Sequence, residues 1–130
     1  MSLKPLIDEY YNWLKARTTI IEDETTGWTE IQTPFIGIFN DTIEIYAKKI
    51  GDKIFLSDNG QTLANLDLLG VQINRSPSRK SILDRIMLNY GLKLDNGEIT
   101  TEATDRNFLQ KKHGMISAII LVSRTWANFC

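Results

Sequence analysis

The chain has 130 residues, of which 42% are hydrophobic and 24% are charged, and its formal net charge is −1. This composition is ordinary for a globular protein, and the length suits one domain with a substantial core. No apolar run approaches the roughly 20 residues of a membrane-spanning helix, and the N-terminal segment lacks the pattern of a signal peptide. We therefore expect a cytoplasmic protein with no membrane partner. The single cysteine, Cys130, excludes an internal disulfide framework.

The charge is distributed unevenly along the chain. Residues 1–70 carry 6 basic and 11 acidic side chains, whereas residues 71–130 carry 9 basic and 5 acidic ones. Such a chain can present an acidic and a basic patch to different partners. Solvated faces of an ordinary domain produce the same counts, so both interpretations stay open.

The N-terminal third predicts one helix and two strands. Apolar residues at three- and four-residue spacing predict a helix from about Lys4 to Arg17, with Pro5 in its first turn. Residues 18–27 predict a strand start and a loop, and residues 28–33 predict a strand that Pro34 ends or bends. The helical stripe consists of Leu3, Leu6, Ile7, Tyr10, Trp13 and Leu14.

A β-hairpin is predicted next, around a two-residue turn at Gly51-Asp52. Residues 43, 45 and 47 alternate with the more polar residues 44, 46 and 48. The register that follows places Ile50 opposite Lys53, Lys49 opposite Ile54, Ala47 opposite Leu56, and Ile45 opposite Asp58. The apolar side chains of both strands then share one face, and we expect the other face to be partly open.

Capping and turn residues divide the rest of the chain. Asp58-Asn59-Gly60 ends the hairpin, and a helix is predicted from about Thr62 to Leu69. Ser76-Pro77 predicts the start of a helix that Gly91 terminates. Asp95-Asn96-Gly97 predicts a small hairpin, and the last helix is predicted from about residue 105 to residue 122.

These elements predict an α+β fold, in which a small, mainly antiparallel β-sheet with hairpins packs against three to four helices. We expect a single domain over residues 1–123 and a C-terminal tail over residues 124–130. Trp126 and Phe129 are the side chains that could dock this tail on the domain.

The acidic residues of the N-terminal half are candidates for an interaction surface. They are Glu22, Asp23, Glu24, Asp41, Glu44 and Asp58. Many enzymes hold metals or phosphates at an Asp between a strand and a helix, but Asp and Asn also bond their own backbone in turns, so we favour a structural role for Asp58. A straight strand would separate Asp41 from Asp58 by about 13 Å, which disfavours a shared metal site. We predict no metal and no cofactor.

Basic residues form a second candidate surface, which could track a nucleic-acid backbone. Arg75, Arg79, Lys80 and Arg85 surround one helix start, and Lys111 and Lys112 lie near the last helix. His113, the only histidine, falls on the apolar side of that helix, where we expect it to be partly buried. With one histidine and no P-loop, the sequence holds no complete catalytic set, so we lean against an enzyme.

The order of several short motifs resembles the domain of unknown function 1828 family. The motifs are TPF at 33–35, Asn40-Asp41, IEIY at 43–46, LSDNGQTL at 56–63, Leu69-Gly70, Arg79, NYGL at 89–92, Asn107-Phe108 and Lys111-Lys112-His113. The likeness covers about residues 27–122. It implies the N-terminal half of bacterial and prophage two-domain proteins, hence a mobile-element setting, and no established activity or catalytic residues. Members often carry an acidic residue near Gly37, which this chain lacks.

Three functions follow as hypotheses. The first is a small non-enzymatic binding protein of phage or mobile-element origin that acts on a host protein or protein–nucleic-acid complex, such as a CRISPR effector. The alternative is a nucleic-acid-binding accessory domain of a longer, nuclease-like protein. The third is a metal-dependent hydrolase that uses Asp41 and Asp58. The sequence leaves the partner and the oligomeric state open.

Overall fold

A computed structural model describes residues 2–126 of the chain. Its elements are α1 (Lys4–Arg17), β1 (Thr19–Glu22), β2 (Thr29–Ile36), β3 (Thr42–Ile50), β4 (Lys53–Ser57), α2 (Gln61–Leu68), a 3-10 turn (Ile73–Arg75), α3 (Pro77–Asn89), β5 (Lys93–Asp95), β6 (Glu98–Ala103) and α4 (Phe108–Trp126). No helix among the described residues combines the length and the apolar character that crossing a membrane requires.

The strands form one six-stranded sheet in the order β1-β2-β3-β4-β6-β5, and all neighbouring strands are antiparallel. Hairpins build most of this order, since β2, β3 and β4 follow one another and β5 pairs with β6. The pairing of β4 with β6 is the long-range step, because α2 and α3 lie between these two strands in the chain. The predicted α+β class is confirmed.

The β3–β4 hairpin has the predicted register. Ala47 pairs with Leu56, and Lys49 pairs with Ile54. The ladder ends at the pair Tyr46–Ser57, so the predicted pairing of Ile45 with Asp58 does not belong to it. The hairpin prediction was accurate because the turn and the alternation of side chains define the same register.

Pro34 does not end β2 but lies at an irregularity within it. The register of β2 with β3 shifts between Gln32 and Ile36. The buried Thr33 hydroxyl donates a hydrogen bond of 2.7 Å to the Ile43 carbonyl across this shift. A bulge tolerates Pro because the ladder is already interrupted there.

The predicted caps and turns of the C-terminal half are confirmed. The Ser76 hydroxyl accepts a hydrogen bond from the Arg79 backbone N–H at the start of α3. The turn between β5 and β6 places Asn96 at φ 52° and Gly97 at φ 83°, as the favoured two-residue hairpin turn requires.

Three helices cover one face of the sheet. The face that carries Ile43, Ile45 and Ala47 is buried, as the alternation predicts. Its partners in the core come from α2, α3 and α4, namely Leu66, Leu83, Ile86, Met87, Met115, Ile116, Ile119, Val122 and Trp126. We call the opposite side of the sheet the open face; it carries the half-buried side chains of Glu30, Glu44, Tyr46, Lys48, Phe55 and Glu98.

The first helix matches its predicted bounds but stays outside this core. None of its 14 residues is buried by the described part of the chain, and Leu14 is its one half-buried side chain. The apolar stripe is therefore a surface feature of the folded chain.

The last helix extends past its predicted end at Val122 and continues to Trp126. Residues 124–126 of the predicted tail are therefore helical, and Trp126 is docked in the core with 1% of its surface exposed. Phe129 and the rest of the predicted tail lie outside the described residues. The helix starts at Phe108 because Asn107 closes a turn on Thr104, where its side chain accepts the Thr104 backbone N–H at 2.7 Å.

We predict that Trp126→Ala lowers the free energy of unfolding by about 3–5 kcal/mol, because it removes a fully buried aromatic side chain and leaves a cavity. Urea unfolding followed by circular dichroism measures this change. Arg124→Ala, on the exposed side of the same helix, is the matched control. Equal stability losses in the two variants would show that Trp126 does not anchor the helix.

Candidate functional site

Asp58 joins three elements of the fold through its buried carboxylate. Its Oδ1 accepts the backbone N–H groups of Gly60 and Ile99, each at 2.9 Å, and its Oδ2 accepts that of Thr62 at 3.1 Å. In return, the Asp58 backbone N–H donates to the Ile99 carbonyl at 3.1 Å. The end of β4, the start of β6 and the first turn of α2 are thus bound to one side chain that is 2% exposed.

The structural interpretation of Asp58-Asn59-Gly60 is confirmed. Asn59 and Gly60 have φ values of 59° and 75°, which let the chain reverse from the strand into α2. The carboxylate caps backbone N–H groups that the first turn of a helix leaves without partners. Both carboxylate oxygens are already engaged, which leaves little capacity for a further ligand.

A cavity of about 200 Å³ lies beside this carboxylate, between β3, α2 and α4. Its wall includes both Asp41 and Asp58, although a straight strand would separate these two residues by about 13 Å. The chain turns at Asn40, whose φ is 60°, and this turn brings Asp41 back toward the sheet. Among the described residues, however, no three His, Cys, Asp or Glu side chains are grouped to hold a metal ion.

Tyr46 links two carboxylates on the open face. Its hydroxyl donates to Glu44 Oε2 at 3.0 Å and lies 3.5 Å from Glu30 Oε1. Burial, followed by the side-chain hydrogen bond with Glu30, raises the pKa of Glu44 above 4.5, although the bond from Tyr46 opposes this shift. Burial and the two neighbouring carboxylates raise the pKa of Tyr46 to about 12, so its hydroxyl remains a donor at neutral pH.

A second cavity, of about 340 Å³, opens next to this group on the open face. Carboxylates and aromatic rings share its wall, and none of its lining residues is basic. We call it the acidic cavity; it is lined by Ile21, Asp23, Thr26, Trp28, Glu30, Tyr46, Ser57, Asn59 and Glu98. Lys48 Nζ lies 5.9 Å from the centre of the Trp28 ring, so one cation of this chain already lies over that ring.

Hydrogen bonds hold the rim of the acidic cavity in place. Glu98 accepts the Ser57 hydroxyl at 2.9 Å, and the same hydroxyl accepts the Asn59 backbone N–H. Asp23 accepts the Thr25 backbone N–H at 3.0 Å in the turn after β1. The carboxylates are therefore fixed before a ligand arrives, which lowers the entropy cost of binding.

The structure distributes the acidic candidates over different environments. Asp23 lines the acidic cavity and Asp41, Glu44 and Asp58 line the first cavity, whereas Glu22 and Glu24 are exposed beside the turn after β1. Asp41 is exposed in the turn between β2 and β3, and Asp58 is buried. The six residues therefore do not form one continuous surface.

The basic candidates lie on different elements. Arg75 belongs to the 3-10 turn, Arg79, Lys80 and Arg85 to α3, and Lys111 and Lys112 to α4. Lys80 forms an ion pair of 2.9 Å with Asp84. Half-burial lowers the pKa of Lys112. His113 is exposed, contrary to its predicted partial burial, because it points away from the side of α4 that meets the core.

Sequence reasoning missed Trp28 and Glu98 as members of the acidic cavity. Trp28 precedes β2 and Glu98 begins β6, so the pairings β2–β3 and β4–β6 are needed to bring them together. No local pattern predicts the second pairing. The alternation of Glu30 with Ile31 does place Glu30 on the polar side of β2 and is the one available signal.

We predict that Asp58→Asn lowers the free energy of unfolding by roughly 2–3 kcal/mol, because an amide group replaces one oxygen that accepts a buried backbone N–H. Urea unfolding measures the loss. Asp67→Asn, on an exposed position of α2, is the control. If both variants were equally stable, the buried carboxylate would not hold β4, β6 and α2 together.

We predict that Glu44→Gln gains stability relative to the parent chain as the pH rises from about 4 to 7. Folded Glu44 holds its proton more tightly than the unfolded chain does, so the parent loses stability as the pH rises from 4.5 through the higher folded-state pKa. The glutamine cannot ionise and escapes this loss.

Urea unfolding of both proteins across this pH range gives the difference. Glu24→Gln removes the same charge from an exposed turn and serves as the control. An identical pH response in the two variants would show that the Glu44 environment does not favour the protonated form.

Comparison with known protein families identifies the family of this chain. Residues 33–122 match the model of a family described as "Domain of unknown function DUF1828". The match covers most of the chain, including the bulge in β2, both hairpins after it and the Asp58 turn. Neither the curated proteins nor the solved structures contain a match. The motifs that suggested this family lie within the matched residues, and the chain belongs to the DUF1828 family.

Proposed function

We propose that this protein is a small non-enzymatic binding protein that recognises a basic host macromolecule through the acidic cavity. In this proposal it derives from a phage or another mobile element and acts in the cytoplasm on a component of bacterial immunity, such as a CRISPR effector. The observation that carries the proposal is the combination of Asp23, Glu30 and Glu98 with Trp28 and Tyr46 around one opening.

The chemistry of the acidic cavity suits a lysine or arginine side chain of a partner. Carboxylates accept charge-assisted hydrogen bonds from ammonium and guanidinium groups, and the face of a Trp ring attracts a cation. A volume of about 340 Å³ admits such a side chain. Trp28, Glu30 and Tyr46 are half-buried where they line the cavity, so its opening is accessible to a large partner.

The described residues favour binding over catalysis. Asp58 uses both carboxylate oxygens on backbone N–H groups, and the lone His113 lies on α4, away from the residues that line the acidic cavity. Glu44 and Tyr46 form a hydrogen-bonded pair. The Ser57 hydroxyl has the Glu98 carboxylate beside it, but this hydroxyl is buried and already accepts the Asn59 backbone N–H, and no histidine lies among the described lining residues of either cavity.

A CRISPR effector is the partner class that we propose to test first. Such effectors hold nucleic acid in a positively charged channel, which an acidic protein surface complements. The net charge of −1 argues against mimicry of nucleic acid by the whole protein. Recognition through one acidic opening needs no high total charge.

We predict that the double variant Glu30→Gln, Glu98→Gln binds its partner at least about tenfold more weakly, since truncating buried charge pairs costs about 2 kcal/mol or more. The partner is captured from host lysate on the immobilised chain, identified by mass spectrometry and measured with the purified protein. Purified CRISPR effectors, with and without guide RNA, are tested directly.

The control is Asp67→Asn, Glu102→Gln, which removes the same charge from exposed positions outside the cavity. Equal weakening in both double variants would reject the cavity as the binding site. Two results together would favour the accessory-domain alternative over this proposal. They are the absence of any specific protein partner and a salt-sensitive binding of nucleic acid that depends on Arg79 and Lys111.

A further inference from the structure

The first cavity, which lies between β3, α2 and α4, is lined by buried polar groups that the fold leaves without partners. Thr62, Asn65 and Ser123 are only 6%, 8% and 8% exposed. Within residues 2–126, no hydrogen bond is made by the hydroxyls of Thr62 and Ser123 or by the amide N–H groups of Asn65, whose oxygen accepts the Gln61 side chain at 2.7 Å. Buried polar side chains normally have such partners.

These unpartnered groups open into the cavity. In the described part of the chain, no side-chain nitrogen or oxygen that is sealed from solvent lacks a hydrogen bond. The three groups therefore keep some accessible surface, and the first cavity is the space that their residues line. A hydroxyl both donates and accepts a hydrogen bond, and an amide nitrogen donates. A ligand with a hydroxyl group would complete all three.

The charge of the first cavity selects a cation. Asp41 and Glu44 both line it, and its described lining residues include no Lys, Arg or His. Burial raises the pKa of Glu44, and the negative charge of Asp41 adds to this shift, so the two carboxylates are close enough to act on one ion. A positive group placed between them relieves their repulsion and replaces the water that Glu44 has lost.

The rest of the wall and the size of the cavity indicate an organic cation. Ile38, Ile43 and Ile119 provide apolar surface that suits a chain of methylene groups. The volume of about 200 Å³ equals that of about seven water molecules, which sets the size of the ligand. A metal ion fits less well, because the described residues hold no group of three His, Cys, Asp or Glu.

We propose that the first cavity binds a small aliphatic ammonium ion that carries a hydroxyl group at its other end. The ammonium group donates charge-assisted hydrogen bonds to Asp41 and Glu44, and the hydroxyl bonds to Ser123 and Asn65. This site does not rest on the proposed macromolecular partner, because Tyr46 is the one described residue that lines both cavities. Its test therefore uses no macromolecule.

The first experiment compares three straight-chain probes of similar length by isothermal titration calorimetry with the purified chain. Aminobutanol carries an amine and a hydroxyl at opposite ends, butylamine lacks the hydroxyl, and butanediol lacks the charge. We expect aminobutanol to bind at least about tenfold more tightly than either of the others, because it alone satisfies both ends of the cavity.

Three results of this experiment overturn the proposal. They are the absence of binding by all three probes, an affinity for aminobutanol no higher than that for butanediol or butylamine, and displacement of aminobutanol by magnesium chloride but not by sodium chloride of equal ionic strength. The last result would assign the cavity to a metal ion.

The second experiment assigns each end of the ligand to its residues. We expect Glu44→Gln to weaken aminobutanol and butylamine at least about tenfold and to leave butanediol unchanged. Glu24→Gln, in an exposed turn, is the matched control. Equal affinities of these two variants for aminobutanol would show that the ammonium group does not bind in the first cavity.

Ser123→Ala tests the hydroxyl end. We expect it to remove the advantage of aminobutanol over butylamine, whereas Ser81→Ala, on an exposed position of α3, keeps that advantage. Urea unfolding checks the fold of each variant, and we expect no loss of stability in Ser123→Ala, because its hydroxyl has no partner among the described residues. An undiminished advantage of aminobutanol in Ser123→Ala would overturn the assignment of the hydroxyl end.

Discussion

The fold depends on one buried carboxylate that takes the place of missing backbone partners. At the end of β4 the chain leaves the sheet, and the first turn of α2 begins with N–H groups that have no carbonyl to bond. Asp58 supplies acceptors to two of these groups and to Ile99 of β6. A single side chain thereby sets the angle between sheet and helix and the register at which the second hairpin joins the first.

That arrangement also determines where function can lie. Because Asp58 and the helices fill one side of the sheet, the ionisable side chains of the strands that line an accessible cavity lie on the open face and its rim. There, Tyr46 brings Glu30 and Glu44 together, and burial shifts the proton affinity of Glu44. Trp28 precedes β2 and Glu98 begins β6, and these strands lie on either side of the β3–β4 hairpin, so the acidic cavity depends on the strand order of the sheet.

Local patterns predicted most of the elements but not their packing. The bounds of α1 follow from its periodicity, and the β3–β4 register follows from its turn and its alternation. The pairing of β4 with β6 has no local signal, because it joins residues separated by two helices. The spacing of apolar residues also does not determine whether a helical stripe faces the core or solvent. In α1 the stripe faces solvent, since none of the helix's residues is buried by the described part of the chain. The C-terminal helix exceeds its predicted end because the burial of Trp126 extends it.

The contact between Asp58 and Ile99 closes a loop of 41 residues. Both ends of this loop are held by the same carboxylate, and α2 and α3 lie within it. The entropy of closing a flexible loop grows only with the logarithm of its length, by about 0.6 kcal/mol for each doubling. Insertions between the two helices therefore cost the sheet little, and the segment after α2 is a place where the chain can gain length while keeping the same architecture.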